Sequence, residues 1–281
     1  MNTIAAETSK LATVELTPRI GTEFRTDIET LLSGKHAQQI RETLELRGVV
    51  IFKELGMTKE QQIAFAETLG AVQGKKGPAG GIMPITLDKK INAFVADYLK
   101  GSFYWHIDGA SDDIPNFAAL LNAHVLSPTG GQTQFVNTYA AWDDLPESEK
   151  ASLEKLKVVH SFEISQRYVN PTPTVEELTA WQLRTPKVHP LVWTHRSGRK
   201  SLVLGSTASH IEGMSLEDGR MLLCKLMAWS TQPQFVYQHD WTVGDLLIWD
   251  NTGTMHRVTP YDPDSGRLLS RTTLDAEEAL V

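Results

Sequence analysis

At 281 residues, with 41% hydrophobic and 22% charged residues, the chain is long enough to bury a sizeable core without disulfides or a structural metal. Its 27 Lys+Arg and 34 Asp+Glu give a net charge of −7, interspersed along the sequence. That balance excludes the basic stripe of a nucleic-acid binder and the polybasic anchor of a membrane-surface protein.

The lone cysteine, Cys224, forms no intrachain disulfide, and the opening MNTIAAETSKLATVEL lacks an apolar signal-peptide core. No apolar run reaches the length of a membrane span. The expectation is a cytoplasmic protein with one domain spanning residues 1–281, compatible with a homo-oligomer, and with a small molecule as its partner.

Residues 1–14 read as a flexible tail. GKHAQQIRETLELRG, residues 34–48, places Ile40, Leu44 and Leu46 at helical spacing and Gly48 at the stop. GVVIF follows as a buried strand. TKEQQIAFAETLG predicts a second helix, with Thr58 at the N-cap and Gln61 three residues on, a capping-box signature. GAVQGKKGPAGG is a glycine-rich turn or lid; no Gly-Lys-Ser/Thr follows it, so it is no phosphate loop.

The remainder reads mainly as β. NAFVADYL, FAALLNAHVL, TQFVN, LKVVHSF, HPLVWTH, KSLVLG, FVYQHDW, DLLIWD and LLSRTTL are short strands separated by turns such as SPTGGQ, RSGRK, TVGD and DPDSG. Helical insertions are expected at residues 138–156 and 215–232. Residues 163–187, with three prolines and little periodicity, read as a long lid loop. Many short strands with Gly/Pro turns predict a sandwich or barrel carrying the helices outside it.

The sharpest chemical feature is Tyr104-Trp105-His106-Ile107-Asp108. In a strand, His106 and Asp108 share one face and can meet one metal ion. His210-Ile211-Glu212 offers the same ligand types, and either pair can instead be a hydrogen-bonded histidine beside a surface carboxylate. His256, just beyond the apolar run Gly244–Asn251, could supply a second imidazole from across a barrel. Two histidines and one carboxylate suit Fe(II) and leave three coordination positions open.

Arg267 and Arg271 have one parity in a strand, roughly 13 Å apart at strand rise. Facing inward they require anions; on an edge strand they would be solvated. A facial triad plus an inward arginine for a dicarboxylate is what oxygen activation with 2-oxoglutarate needs. A zinc hydrolase or a non-catalytic jelly-roll binding module would use the same histidines without the arginine.

WHID, SPTGGQT, GDLLIWDNTGTMH and RLLSRTTL together resemble the taurine/2,4-dichlorophenoxyacetate dioxygenase family of Fe(II)/2-oxoglutarate enzymes, over about residues 15–275. The resemblance implies a mainly β fold with flanking helices, a double-stranded β-helix or jelly roll. It implies His106, Asp108 and His256 as iron ligands. Thr133 would hydrogen-bond, and Arg267 salt-bridge, the distal carboxylate of 2-oxoglutarate. Arg271 would meet the anionic end of the substrate, and Trp249 would wall the site. The family does not use the positions of His210 and Glu212 as ligands.

The implied reaction consumes O2 and decarboxylates 2-oxoglutarate to succinate and CO2 while hydroxylating a small anionic molecule, an aromatic or aryloxy carboxylate or a sulfonate. Desaturation, cyclisation or epimerisation would use the same cofactors. The carboxylate at position 108 argues for hydroxylation over halogenation, and residues 71–103 offer no histidine to bind taurine.

Overall fold

The computed structural model describes residues 9–93 and 95–280. In chain order these form β1 (Ala12–Glu15), β2 (Thr22–Arg25), α1 (Ile28–Leu32), α2 (Ala37–Arg47), β3 (Val49–Phe52), α3 (Lys59–Leu69) and β4 (Met83–Ile85). Then come α4 (Ala96–Leu99), running into a 3-10 turn (Lys100–Phe103), β5 (Ala118–Val125), β6 (Thr133–Asn137), α5 (Thr138–Asp143), α6 (Glu147–Leu153) and β7 (Lys157–His160). The last part holds α7 (Phe162–Val169), α8 (Val175–Gln182), β8 (Lys187–Pro190), β9 (Val192–Thr194), β10 (Lys200–Leu202), β11 (Ala208–Ile211) and α9 (Leu216–Ser230). β12 (Val236–His239), β13 (Leu246–Asp250), β14 (Thr254–Val258) and β15 (Leu268–Thr273) complete it.

A seven-stranded sheet, β1-β2-β3-β13-β5-β15-β4, faces a three-stranded one, β12-β6-β14, and the two form the jelly roll. β13 explains the layering. It lies between β3 and β5 and is buried on both faces, so its sequence is a continuous apolar run with no alternation. Leu246 and Ile248 point to the helix side and pack with Phe24, Ile40, Leu44 and Phe65. Leu247 and Trp249 point between the sheets, against Phe135 of β6 and Leu269 of β15. The same parity turns Arg271, two residues after Leu269, toward that inter-sheet space. A second core joins α5 and α9 to β9, β10 and β11 through Trp142, Trp193, Leu202, Ile211 and Leu226.

The first helices form as their sequence predicts. Thr58 and Gln61 make both bonds of the capping box on α3. In α2, Ile40 and Leu44 are buried, but Leu46 is exposed and Arg47 is buried instead, donating to the carbonyls of Pro18 and Thr17.

Three expectations are corrected. The described residues of NAFVADYL form no strand: Asn92 donates its side-chain amide to the carbonyls of Pro84 and Thr86, and Asp88 accepts from the Lys90 N–H, closing turns that lead into α4. Residues 163–187 are not a loop but the helices α7 and α8. Glu163 and Arg167 pair four residues apart on α7, and Thr174 with Glu177 forms a capping box on α8. Pro171 and Pro173 fall in the connection between them. The flexible tail expected over residues 1–14 gives way to strand at Ala12, where β1 adds to the sheet edge beside β2; residues 1–8 lie outside the described residues.

Smaller departures follow from proline and from pairing partners. The insertion at residues 138–156 splits into α5 and α6, with Pro146 at the N-cap of α6. HPLVWTH divides at Leu191, because β8 pairs with β7 while β9 pairs with β10. Among the described residues, no helix is long and apolar enough to cross a membrane.

Candidate active site

His106 lies outside the named strands, in an isolated antiparallel bridge with His256 of β14. Each backbone N–H donates to the other's carbonyl, at 3.1 and 2.9 Å, and the ring centroids stand 4.1 Å apart. Ile107 is buried in the second core, which turns its neighbours His106 and Asp108 to the opposite side. The strand-like spacing therefore holds locally although Asp108 itself sits in a turn. The Asp108 carboxylate lies 3.6 Å from His106 Nε2 and 3.4 Å from His256 Nε2. Among the described residues, these three alone converge as metal-ligand types, with ligand atoms within 4.8 Å of one another.

The environment sets the donor form of each group. The Tyr104 carbonyl lies 2.8 Å from His106 Nδ1, which places the proton on that nitrogen and leaves Nε2 as the lone-pair donor. Burial pushes the His256 imidazole well below its usual pKa range, with His106 adding to the effect and Asp108 opposing it, so it is neutral. Its Nδ1 is buried without a hydrogen-bond partner. For Asp108, burial raises the carboxyl pKa, but Arg271, His256 and His106 together outweigh it and hold the group far below the usual carboxylate range. Two imidazoles and one carboxylate are a donor set that fits Fe(II).

Asn251 fixes this arrangement, a role that sequence reasoning missed. Its side chain accepts from the Asp108 N–H at 3.0 Å and donates to the carbonyls of Asp108 and Asn116 at 2.8 and 3.0 Å. The available signal is its place directly after a strand buried on both faces, where a polar amide needs partners. Asn251→Ala is expected to weaken Fe(II) binding about tenfold, in the range of losses for groups that orient ligands. An equilibrium metal titration checks this; an unchanged affinity would leave Asn251 a purely structural clamp.

Gly205 lies behind His106. A Cβ there would sit 3.0 Å from His106 Cα, and the backbone angle φ of +124° disfavours a side chain as well.

Both arginines face inward. Arg271 donates from Nη2 to Asp108 Oδ2 at 2.6 Å and lies 5.5 Å from the Trp249 ring, while its Nε is buried and unpaired. Arg267 precedes β15 and is 3% exposed. Its Nη2 donates to the Gly131 carbonyl at 3.0 Å, and its guanidinium lies 4.6 Å from the Tyr261 ring. Among the described residues no carboxylate pairs with it. Gly131, at φ +80°, is required here, since a Cβ would stand 2.8 Å from Arg267 Nε.

Thr133 on β6 is buried and accepts a hydrogen bond from Trp241 Nε1 at 3.0 Å. Trp249 walls the site, its ring 4.7 Å from that of His256. His106, Thr133, Trp249, His256, Arg267 and Arg271 line one cavity of about 70 Å³. A larger cavity of about 640 Å³, between α7 and α9, holds none of these groups. The alternative pair gathers no third ligand among the described residues: His210 lies on β11 beside Ser209, and Glu212 is exposed.

The geometry agrees with the known proteins this chain resembles. The family model described as "Taurine catabolism dioxygenase TauD, TfdA family" matches residues 12–273. An alpha-ketoglutarate-dependent 2,4-dichlorophenoxyacetate dioxygenase from Cupriavidus pinatubonensis is 35% identical over 267 residues, covering 89% of this chain and 92% of the relative. An (S)-phenoxypropionate/alpha-ketoglutarate-dioxygenase from Sphingobium herbicidovorans is 32% identical over 82% of this chain and 83% of its own length. The crystal structure of AAD-2 with Mn(II) and N-oxalylglycine superposes with a TM-score of 0.84 at 33% identity, covering 97% of this chain and 100% of that one. With its His-Asp-His cluster inside a jelly roll, the chain belongs to the TauD/TfdA family and is a 2-oxoglutarate-dependent non-haem iron dioxygenase.

Proposed function

We propose that the enzyme hydroxylates a small aryloxy or aromatic carboxylate. In this reading His106, Asp108 and His256 hold iron, Thr133 and Arg267 hold the distal carboxylate of 2-oxoglutarate, and Arg271 receives the carboxylate of the substrate. The observation that carries it is the pair of inward arginines: among the described residues Arg267 has no anion, and Arg271 has only the Asp108 carboxylate. A buried guanidinium without a counter-ion is costly, and a bidentate carboxylate relieves that cost. The family relatives that act on 2,4-dichlorophenoxyacetate and (S)-phenoxypropionate support the substrate class.

When bound, Fe(II), 2-oxoglutarate and O2 supply the oxidising power, with succinate and CO2 as co-products. The chain's own groups supply position. Burial keeps the His256 imidazole neutral, and the Tyr104 carbonyl beside His106 Nδ1 leaves Nε2 as the donor atom of that ring. Trp249, Phe135 and Leu269 exclude water from the inner wall. The unpaired Nε of Arg271 leaves a donor free for an incoming carboxylate. Helix α7 serves as the cover, with Phe162 stacked on Tyr98 and Tyr168 against Tyr104. The exposed, unpaired Cys224 fits a reducing compartment such as the cytoplasm.

The test is an anaerobic titration with Fe(II) and 2-oxoglutarate, following the visible charge-transfer band, and then adding phenoxyacetates or their neutral phenoxyethanol counterparts. The carboxylates are expected to shift the band and the alcohols to leave it unmoved. In Arg271→Leu the carboxylate needed for the shift should rise about a hundredfold, the cost of losing a charge-assisted pair. Equal shifts from acids and alcohols would sink the assignment of Arg271. Product mass then separates hydroxylation, a gain of one oxygen, from desaturation, a loss of two hydrogens.

A further inference from the structure

Thr133 is held in a particular way. Its strand is central in the three-stranded sheet, paired with His239 of β12 on one side and Val258 of β14 on the other, so the backbone cannot adjust. Only the hydroxyl rotor is free. A threonine hydroxyl has one proton and two lone pairs, whereas an indole N–H can only donate and a carboxylate can only accept. Trp241 donates to Thr133 Oγ1 at 3.0 Å and so occupies a lone pair. The hydroxyl proton has no acceptor among the described residues and faces a cavity shared with Arg267.

We propose that Trp241 is a positioning residue for the co-substrate: its indole N–H sets the Thr133 rotor so that the hydroxyl donates to the distal carboxylate of 2-oxoglutarate. The inference rests on the reading of Thr133 and Arg267 as the co-substrate clamp.

The support behind Trp241 is itself built. The His239 ring stands edge-on to the indole with centroids 4.5 Å apart. His239 Nε2 lies 3.0 Å from Asp245 Oδ2, and the Tyr237 hydroxyl lies 3.0 Å from Nδ1. The fully buried Asp245 carboxylate also accepts from the Thr242 N–H at 2.9 Å, the Glu54 N–H at 3.0 Å and Lys53 Nζ at 2.6 Å. The TVGD turn directly after Trp241 is thereby pinned to β3's end, and the indole inherits that fixity. An N–H aimed at one oxygen from a pinned ring costs little ordering when the ligand arrives.

The experiment measures N-oxalylglycine binding to Mn(II)-loaded protein by calorimetry, together with steady-state kinetics in 2-oxoglutarate on the iron enzyme. Trp241→Phe keeps an aromatic ring against His239 and removes the donor. It is expected to weaken binding about fivefold and raise KM for 2-oxoglutarate alike, with kcat at saturation unchanged. Thr133→Val should weaken binding about tenfold. The double variant Trp241→Phe/Thr133→Val should bind no more weakly than Thr133→Val alone, since the N–H acts only through that hydroxyl.

A merely structural tryptophan would instead give losses that add in the double variant, and that result overturns the proposal. So does unchanged affinity in a folded Trp241→Phe protein. If that variant does not fold, β-(3-benzothienyl)alanine placed at position 241 keeps the bicyclic shape without the N–H, and the same losses are expected of it. Failure of the clamp reading looks different: the native protein would not bind N-oxalylglycine, or Thr133→Val would bind it normally.

Discussion

Asp108→Ala is expected to abolish succinate formation, a fall of about a thousandfold or more, because it removes the only anionic member of the His106-Asp108-His256 cluster proposed to hold iron. Two neutral imidazoles bind a divalent cation far less well than two imidazoles and a carboxylate. The substitution has a second cost. Arg271 donates to Asp108 at 2.6 Å and is only 18% exposed, so its charge would lose its partner inside the site.

Asp108→Asn separates the two contributions, since it keeps the shape and an acceptor for Arg271 while removing the negative charge. Iron content and succinate yield should fall in both variants. Normal turnover in Asp108→Ala would remove the metal assignment altogether. The small residue at 108 also opens space beside the metal for a halide, so bromide added to that variant is the control for any residual oxidation.

Arg267→Ala is expected to raise the 2-oxoglutarate requirement by about two to three orders of magnitude, the range for truncating one side of a buried, hydrogen-bonded ion pair. Arg267→Lys should fall between, since an ammonium keeps the charge but not the planar fork. Stability should respond in the opposite sense. Without co-substrate, Arg267 is a buried cation whose pKa burial lowers, balanced only by the Gly131 carbonyl and the Tyr261 ring. Its removal is therefore expected to leave the melting temperature of the free protein unchanged or higher. The rise in melting temperature that N-oxalylglycine and Mn(II) give the native protein should disappear. An unchanged requirement for 2-oxoglutarate, with the thermal shift intact, would count against Arg267 as the anchor.

These two residues differ in how they could be read. His106 and Asp108 are two apart, and a two-residue spacing puts both on one side of an extended segment wherever that segment lies. The pairing of that edge with His256, 150 residues later, is not a local property; it comes from the bridge between the two segments across the jelly roll. The inward direction of Arg267 and Arg271 was equally open, because parity gives them a common face without saying which face is buried. Strand order decides it for Arg271: β15 lies between β5 and β4, and Leu269 fixes the inner side by packing against Trp249 and Phe135, whereas Arg267 precedes the strand, beyond a register irregularity at Leu268/Leu269, and is held by the Gly131 carbonyl.

Helices α7 and α8 show the reverse case. Their signals were local and present, in the Glu163–Arg167 spacing and the Thr174–Glu177 capping box, but three prolines across residues 163–187 obscured them. A proline breaks a helix only when it falls inside one, and Pro171 and Pro173 fall between two.

By itself, then, the sequence determined the strands with strong apolar runs, the capped helix at Thr58, the absence of disulfide or polybasic chemistry, and which side chains could bind iron. Tertiary structure decided which of those side chains meet. It set His106 against His256, brought Asn251 onto the Asp108 backbone and placed Trp241 on Thr133, contacts that join residues 108 to 150 positions apart. Local patterns encode which face an element buries, because burial follows the period of the backbone. Partners across a sheet depend on strand order, which no local period specifies.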